Sequence, residues 1–151
     1  LEEIDLKNKI NSVVEAMSNL AAEKNINFKF EYVGDAMVKA DHSALEQVLN
    51  NLLENSIKYS NPNSEVEIKI RKRDNFYKVS ILDTGSGVEE HESTLIFNRF
   101  YRTAKARAES KDGSGLGLAI VKHLVNQLGG EVGVMPRKNH GSRFWFTLQS
   151  I

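Results

Sequence analysis

Three short stretches of this 151-residue chain place polar residues and glycines at spacings suited to anion and metal chemistry. In QVLNNLLENSIKYS, Gln47–Ser60, Asn51 and Asn55 stand four apart and Lys58 follows one turn later. On a helix these side chains leave from one edge, beside a stripe of Val48, Leu49, Leu52, Leu53 and Ile57. Two carboxamides and an ammonium there suit a hydrated Mg²⁺ and the phosphates next to it. Mg²⁺ takes oxygen donors and keeps several waters, so one or two protein oxygens suffice. A lone Asn-x-x-x-Asn is also an ordinary solvated edge, so this reading needs support from elsewhere.

The second stretch is LDTGSGV, Leu82–Val88. Asp83 ends an apolar run and is followed by Gly85 and Gly87. As a plain turn, its carboxylate takes a local backbone hydrogen bond. As a binding feature, it accepts from an exocyclic amine such as that of adenine, which separates adenine from guanine. Gly85 and Gly87 would then let the backbone pass flat against the base. The third stretch, KDGSGLGLAIVKHLVNQLGG, sets Gly113, Gly115 and Gly117 at alternate positions, with Leu116 between the last two. Such a loop opening a helix aims free amides and a positive helix end at an anion. No Gly-Lys pair occurs, which excludes a Walker-type loop. The dinucleotide fingerprint fails as well, because the third glycine comes one residue early and a charged loop precedes it.

The elements that must hold these stretches follow from periodicity. An amphipathic helix is expected from Asp5 to about Lys24 and a second from His42 to about Lys58. A short one is expected over His91–Phe97, and another leads out of the glycine loop with Leu116, Ile120, Leu124 and Leu128 on one face. Strands are expected at Asn27–Gly34, Met37–Asp41, Ser64–Arg73, Phe76–Asp83, Glu131–Arg137 and Gly141–Gln149, the third and fourth forming a hairpin. Asn98–Ser114, poor in large apolar residues, reads as a long mobile loop. The sum is an α/β (α+β) two-layer sandwich: a mixed, mostly antiparallel sheet covered on one face by about three helices.

The bulk composition narrows the classes. The chain is 40% hydrophobic and 26% charged, with 20 basic and 20 acidic residues, so no net charge draws it to nucleic acid. No apolar run reaches the length that spans a bilayer. There are 0 cysteines, which removes disulfides and thiol chemistry and fits a cytoplasmic setting. One domain over residues 1–151 is expected, opening at Leu1 as a piece of a longer protein.

In order and separation, these motifs resemble the ATP-binding catalytic domain of bacterial sensor histidine kinases, within the gyrase B, heat-shock chaperone, mismatch-repair and histidine kinase ATPase superfamily. The likeness runs end to end. Asn51–Ser60 resembles its asparagine box, Asp83–Gly87 its first glycine box and Phe97–Arg102 its phenylalanine box. Gly113–Gly117 resembles its second glycine box, and Gly141–Phe144 its terminal strand signature. The resemblance implies a Bergerat-type fold whose mobile loop is an ATP lid. It implies that Asn55 ligates Mg²⁺ bridging the ATP phosphates, with Asn51 beside it, Lys58 on phosphate and Tyr59 against adenine. Asp83 would accept from the adenine amine, with Gly85 and Gly87 in its turn. Arg102, and Arg99 with it, would meet the terminal phosphates, and Gly113, Gly115, Leu116 and Gly117 would line and hinge the lid. Ser56, where the family usually has alanine, and Val88-Glu89-Glu90, in place of isoleucine-proline, are departures.

The hydrolases of the superfamily carry a water-activating glutamate four residues before the metal-binding asparagine. Here that position is Asn51, and an amide accepts no proton at neutral pH. The expected reaction is therefore transfer of the γ-phosphoryl group to an outside nucleophile, by resemblance a histidine on a separate dimerisation domain, with a response regulator downstream. Of the four histidines only His91-Glu92 begins like a phosphoacceptor box, and it lacks the Arg-Thr-Pro that should follow. The chain by itself is expected to be a monomer that does not label itself, joined to a membrane only through parts outside it. An anti-sigma-factor-type serine kinase and a non-catalytic ATP-sensing module stand as alternatives.

Overall fold

The computed structural model of the chain describes residues 1–32, 34–103, 117–137 and 141–151. A short strand, β1 (Glu2–Asp5), leads into α1 (Leu6–Ala16). The helix starts where the Asp5 carboxylate accepts from the Lys7 and Asn8 amides at 3.0 and 3.3 Å, two donors that a helix start leaves open. The single expected helix is two. Met17 separates α1 from α2 (Ser18–Glu23), and its amide closes α1 on the carbonyls of Val13 and Val14. The apolar seam survives the break, with Leu6, Ile10 and Val13 buried before it and Met17 and Ala21 after it.

After β2 (Asn27–Tyr32) and β3 (Met37–Ala40) comes α3 (His42–Tyr59), capped by the Asp41 carboxylate on the Ser43 amide at 2.8 Å. Leu45, Val48, Leu49, Leu52, Leu53 and Ile57 are at most 1% exposed. Each contributes about 2 kcal/mol by leaving water, which sets the rotation of the helix about its axis. That rotation leaves Asn51 and Asn55 half-buried at the edge. At the other end, the Lys24 ammonium donates to the carbonyls of Ile57, Lys58 and Ser60 at 2.9, 3.0 and 2.5 Å. It caps oxygens that no helical amide reaches and complements the negative helix end.

The remaining elements are β4 (Glu65–Arg73), β5 (Phe76–Leu82), two 3-10 turns at Glu90–Glu92 and Leu95–Phe97, α4 (Gly117–Gln127), β6 (Val132–Pro136) and β7 (Ser142–Gln149). The two 3-10 turns replace the short helix expected over His91–Phe97. Five strands form one sheet in the order β2-β4-β5-β7-β6, parallel only between β2 and β4. The unforeseen β1 pairs antiparallel with β3 in a sheet of two.

Register aligns the apolar residues in rows. Ile70, Val79, Phe146 and Val132 face one another across four strands, and Ile68, Ile81, Phe144 and Val134 form the next row. The helices cover this face, so the expected two-layer sandwich is the fold, with four helices among the described residues where about three were expected. In α4 the deepest residues are Val121 and Val125, flanked by Leu124 and Leu128, one position away from the expected stripe through Ile120. Leu116, Gly113 and Gly115 lie outside the described residues, as does the expected lid from residue 104 onward.

Candidate functional site

Asp83 follows the last residue of β5, on the same face as Ile81, and is only 3% exposed. Its Oδ1 accepts from the Gly85 amide at 3.0 Å and the Ser142 amide at 3.2 Å. Its own carbonyl accepts from the Arg137 guanidinium at 2.6 Å. Burial pushes the Asp83 carboxyl above the ordinary carboxylate range, opposed by the two amides and by Arg137. Both side-chain bonds fall on Oδ1, which leaves Oδ2 as the free acceptor.

A small cleft of about 60 Å³ opens at this carboxylate, lined by Asn55, Tyr59, Asp83 and Gly87, with Ser86, Leu118, Ser142 and Phe144. Five residues from the asparagine and first glycine motifs, Asn55, Tyr59, Asp83, Ser86 and Gly87, thus share one cavity. Leu118 brings the start of α4 to the same place. Gly117 sits against Asn51: a Cβ on that glycine would stand 3.4 Å from the Asn51 Oδ1. Gly117, the last glycine of the third motif, therefore joins the other two motifs along the C-terminal half of α3.

The glycines serve the protein's own packing. A Cβ on Gly85 would fall 1.7 Å from the Tyr59 carbonyl oxygen, so the turn crosses the end of α3 only without a side chain. Gly87 (φ 74°) and Gly141 (φ 103°) adopt left-handed backbone, which glycine enters without steric penalty. A Cβ on Gly141 would meet the Asp83 carbonyl at 2.1 Å. These close approaches seat the Asp83 turn between α3 and β7.

The other candidates are placed as follows. The Lys58 ammonium stands 5.3 Å from the centre of the Tyr59 ring and is not among the residues that line the cleft. Ser56 is fully buried and turns its hydroxyl back onto the Leu52 carbonyl at 3.0 Å, so this departure changes the helix interior and not the cleft. Arg99 lines a separate cavity of about 350 Å³ with Ala119, Ile120 and His123. That cavity is larger but holds neither asparagine nor the Asp83 turn, so volume does not choose the site. Arg102 is half-buried and borders neither cavity.

The turn ahead of Arg102 is tightly built. Phe100 takes φ 64° and is 69% exposed, an uncommon backbone for a bulky residue. The next residue, Tyr101, donates its hydroxyl to the buried Glu92 carboxylate at 2.6 Å. His91 is exposed in the neighbouring 3-10 turn and does not line the cleft.

Ser142 and Phe144 received no individual role from the sequence, although the period of two along β7 was there to place 142, 144 and 146 on the inward face. Arg137 had no local sign at all, because its contact depends on how the β6–β7 connection meets Asp83.

Residues 40–150 match the family model described as histidine kinase-, DNA gyrase B-, and HSP90-like ATPase. The sensor protein CiaH of Streptococcus pneumoniae is 34% identical over 125 residues, 83% of this chain and 28% of its own length. Full-length ShkA in complex with AMPPNP superposes with a TM-score of 0.84 at 31% identity, covering 100% of this chain and 32% of ShkA. The histidine kinase ThkA, in complex with the response regulator protein TrrA, gives 0.84 at 27% identity over 99% of this chain and 42% of ThkA. The chain thus spans less than half the length of each of these three proteins. By that match and these likenesses, the chain belongs to the histidine kinase-, DNA gyrase B-, and HSP90-like ATPase family, as an ATP-binding catalytic domain of the sensor histidine kinase type.

Proposed function

We propose that this cleft binds Mg-ATP and presents its γ-phosphoryl group to a histidine on a separate dimerisation domain, making the chain the catalytic part of a protein-histidine kinase. The observation that carries the reading is the buried Asp83 carboxylate opening into the same cavity as Asn55. One end suits the amine edge of adenine, and the other suits a phosphate-bound cation.

The residues fit such a ligand. The free Oδ2 of Asp83 provides an acceptor, and the neighbouring Thr84 hydroxyl is buried with no hydrogen-bond partner. Buried polar atoms of that kind ordinarily find partners, and a bound nucleotide or its water would supply one. At about 60 Å³ the cleft admits the edge of a base, so the triphosphate would run along α3 past Asn55 and Asn51. Leu118 and Phe144 give the base an apolar wall.

In this mechanism Asp83 accepts from the exocyclic amine and Tyr59 bounds the base. Asn55 provides the carboxamide oxygen that holds Mg²⁺, with Asn51 adjoining. When bound, Mg²⁺ supplies charge neutralisation on the phosphates. Lys58, and Arg99 and Arg102 from the turn before the second glycine motif, neutralise the rest and orient the terminal group. Asn51 stands where proton abstraction from water would need a base, and its amide has no basicity for that. The site thereby favours transfer to an incoming nucleophile over hydrolysis. A downstream response regulator and a cytoplasmic location complete the reading. No helix among the described residues is long and apolar enough to cross a membrane, so any membrane attachment belongs to other parts of the protein.

The test is phosphotransfer from radiolabelled ATP to a histidine-bearing dimerisation domain supplied separately, with Mg²⁺ present. Label should appear on that domain's histidine and be absent from this chain alone. Steady release of inorganic phosphate without transfer would reject the kinase reading.

A further inference from the structure

On the face of the five-stranded sheet turned away from the helices, the charges are unevenly shared. Near β2 the acids are matched: Glu31 lies 2.6 Å from Arg71 and 3.7 Å from Lys69, and Glu67 lies 3.9 Å from Lys69. Across β5 and β7 the outward residues are Phe76, Lys78, Ser80 and Leu82, then Arg143, Trp145, Thr147 and Gln149, without one acid. Among the described residues, the charges that act on Lys78 are positive. Arg143 and Arg73 both depress its ammonium, after the larger effect of burial. Glu131 borders this region beyond Thr147 but forms no ion pair among the described residues.

Like charges facing one another across strands weaken a sheet, and nothing in the nucleotide cleft requires them here. The cluster is also organised. The Lys78 ammonium sits 4.5 Å from the centre of the Trp145 ring. The ring lies across β6 at Gly133, where a Cβ would meet it at 2.5 Å. Arg143 reaches the fully buried Ser80 hydroxyl at 3.3 Å, while its Nε is shielded from water with no partner. An arginine held in place by Ser80, a lysine that among the described residues is influenced by cations alone and a half-exposed tryptophan are together the kind of surface that anchors a partner.

We propose that this outward face, centred on Lys78, Arg143 and Trp145, docks an acidic polypeptide segment. Its carboxylates would pair with the Lys78 ammonium and with the guanidinium groups of Arg143 and Arg73. A polypeptide fits better than a phosphate polyanion or a lipid surface for two reasons. The acids Glu31, Glu67 and Glu65 share the same face, and a uniformly negative plane laid over the sheet would meet them too. The chain as a whole is neutral, so nothing beyond the patch draws a polyanion in. A polypeptide can place acids opposite β5 and β7 and spare the region of β2 and β4.

Trp145 is the chain's single tryptophan, so its fluorescence reports on this face alone. The experiment titrates the nucleotide-free protein with a blocked octaglutamate peptide at near-physiological salt, where the attraction of isolated surface charges is largely screened. Phosphatidylglycerol vesicles and a single-stranded thymidine oligonucleotide are titrated in parallel. A saturable change with the peptide is expected, with affinity falling about three- to fivefold in each of Lys78→Gln and Arg73→Gln. Mg-ATP affinity should stay the same in both variants, which separates this proposal from the nucleotide reading. The proposal is overturned by an absent or non-saturating response, by unchanged peptide affinity in the variants, or by tighter binding of the vesicles or oligonucleotide than of the peptide.

Discussion

Asp83 and Asn55 carry separable parts of the site, and each makes its own prediction. Asn55 stands half-buried at a helix edge, so Asn55→Ala should leave circular dichroism and melting nearly unchanged. Mg-dependent ATP affinity should fall on the order of 100-fold, the scale of a lost contact to a charged group. Calorimetry with and without Mg²⁺ checks this, and an unchanged affinity would remove Asn55 as the metal ligand. For Asp83 the sign follows from linkage. Its carboxyl is raised in the fold, so between its unfolded and folded pKa values the native state holds the proton more tightly. Stability then declines as pH rises through that window and stays lower above it. Asp83→Asn cannot ionise, so its stability relative to the parent should improve from pH 4 to pH 7 in urea melts. The same variant should lose the preference for ATP over GTP, because an amide NH₂ directed at an amine repels it. Equal binding of ATP and GTP by the parent chain would defeat the adenine contact.

At the scale of elements, the site depends on two joints that hold α3 and the Asp83 turn. The Lys24 ammonium ties the end of α2 to three carbonyls at the end of α3. Lys24→Met should cost about 1–3 kcal/mol in denaturant unfolding and speed amide exchange around residues 57–60, while Mg²⁺ dependence persists. Gly85 is the second joint. Gly85→Ala pushes a methyl into the Tyr59 carbonyl, with an expected destabilisation of about 1–3 kcal/mol and a weakened adenine site. A variant with parental stability would show that the turn moves freely. The sequence marked both ends of this second joint, Tyr59 and Gly85, as ligand contacts. Their contact with each other became visible only when β5 was laid beside α3.

For the molecule as a whole, the neutral balance of 20 basic and 20 acidic residues leaves little mutual repulsion near neutral pH. Solubility should therefore pass through a minimum close to pH 7 and recover with a shift of pH to either side, which precipitation by polyethylene glycol at graded pH would measure. A flat profile would mean that local patches, such as the cations around Trp145, govern association instead.

Period and spacing within the chain determined most of the elements: the α3 stripe, the alternation in β4, β5 and β7, and the three polar motifs. Those patterns are local, and local sterics and amphipathicity suffice to write them. Where the chain breaks or pairs against its local pattern, only tertiary packing decided. Met17 divides a continuous amphipathic run, Glu2–Asp5 becomes a strand because β3 lies alongside, and β2 pairs parallel with β4. The cleft belongs to this second group. Asp83 is a buried acceptor because the Ser142 amide and the Gly85 turn close around it, and Arg137 arrives from more than fifty residues away in the chain. Burial and charge at a point depend on everything packed near it, and one-dimensional spacing does not carry that information.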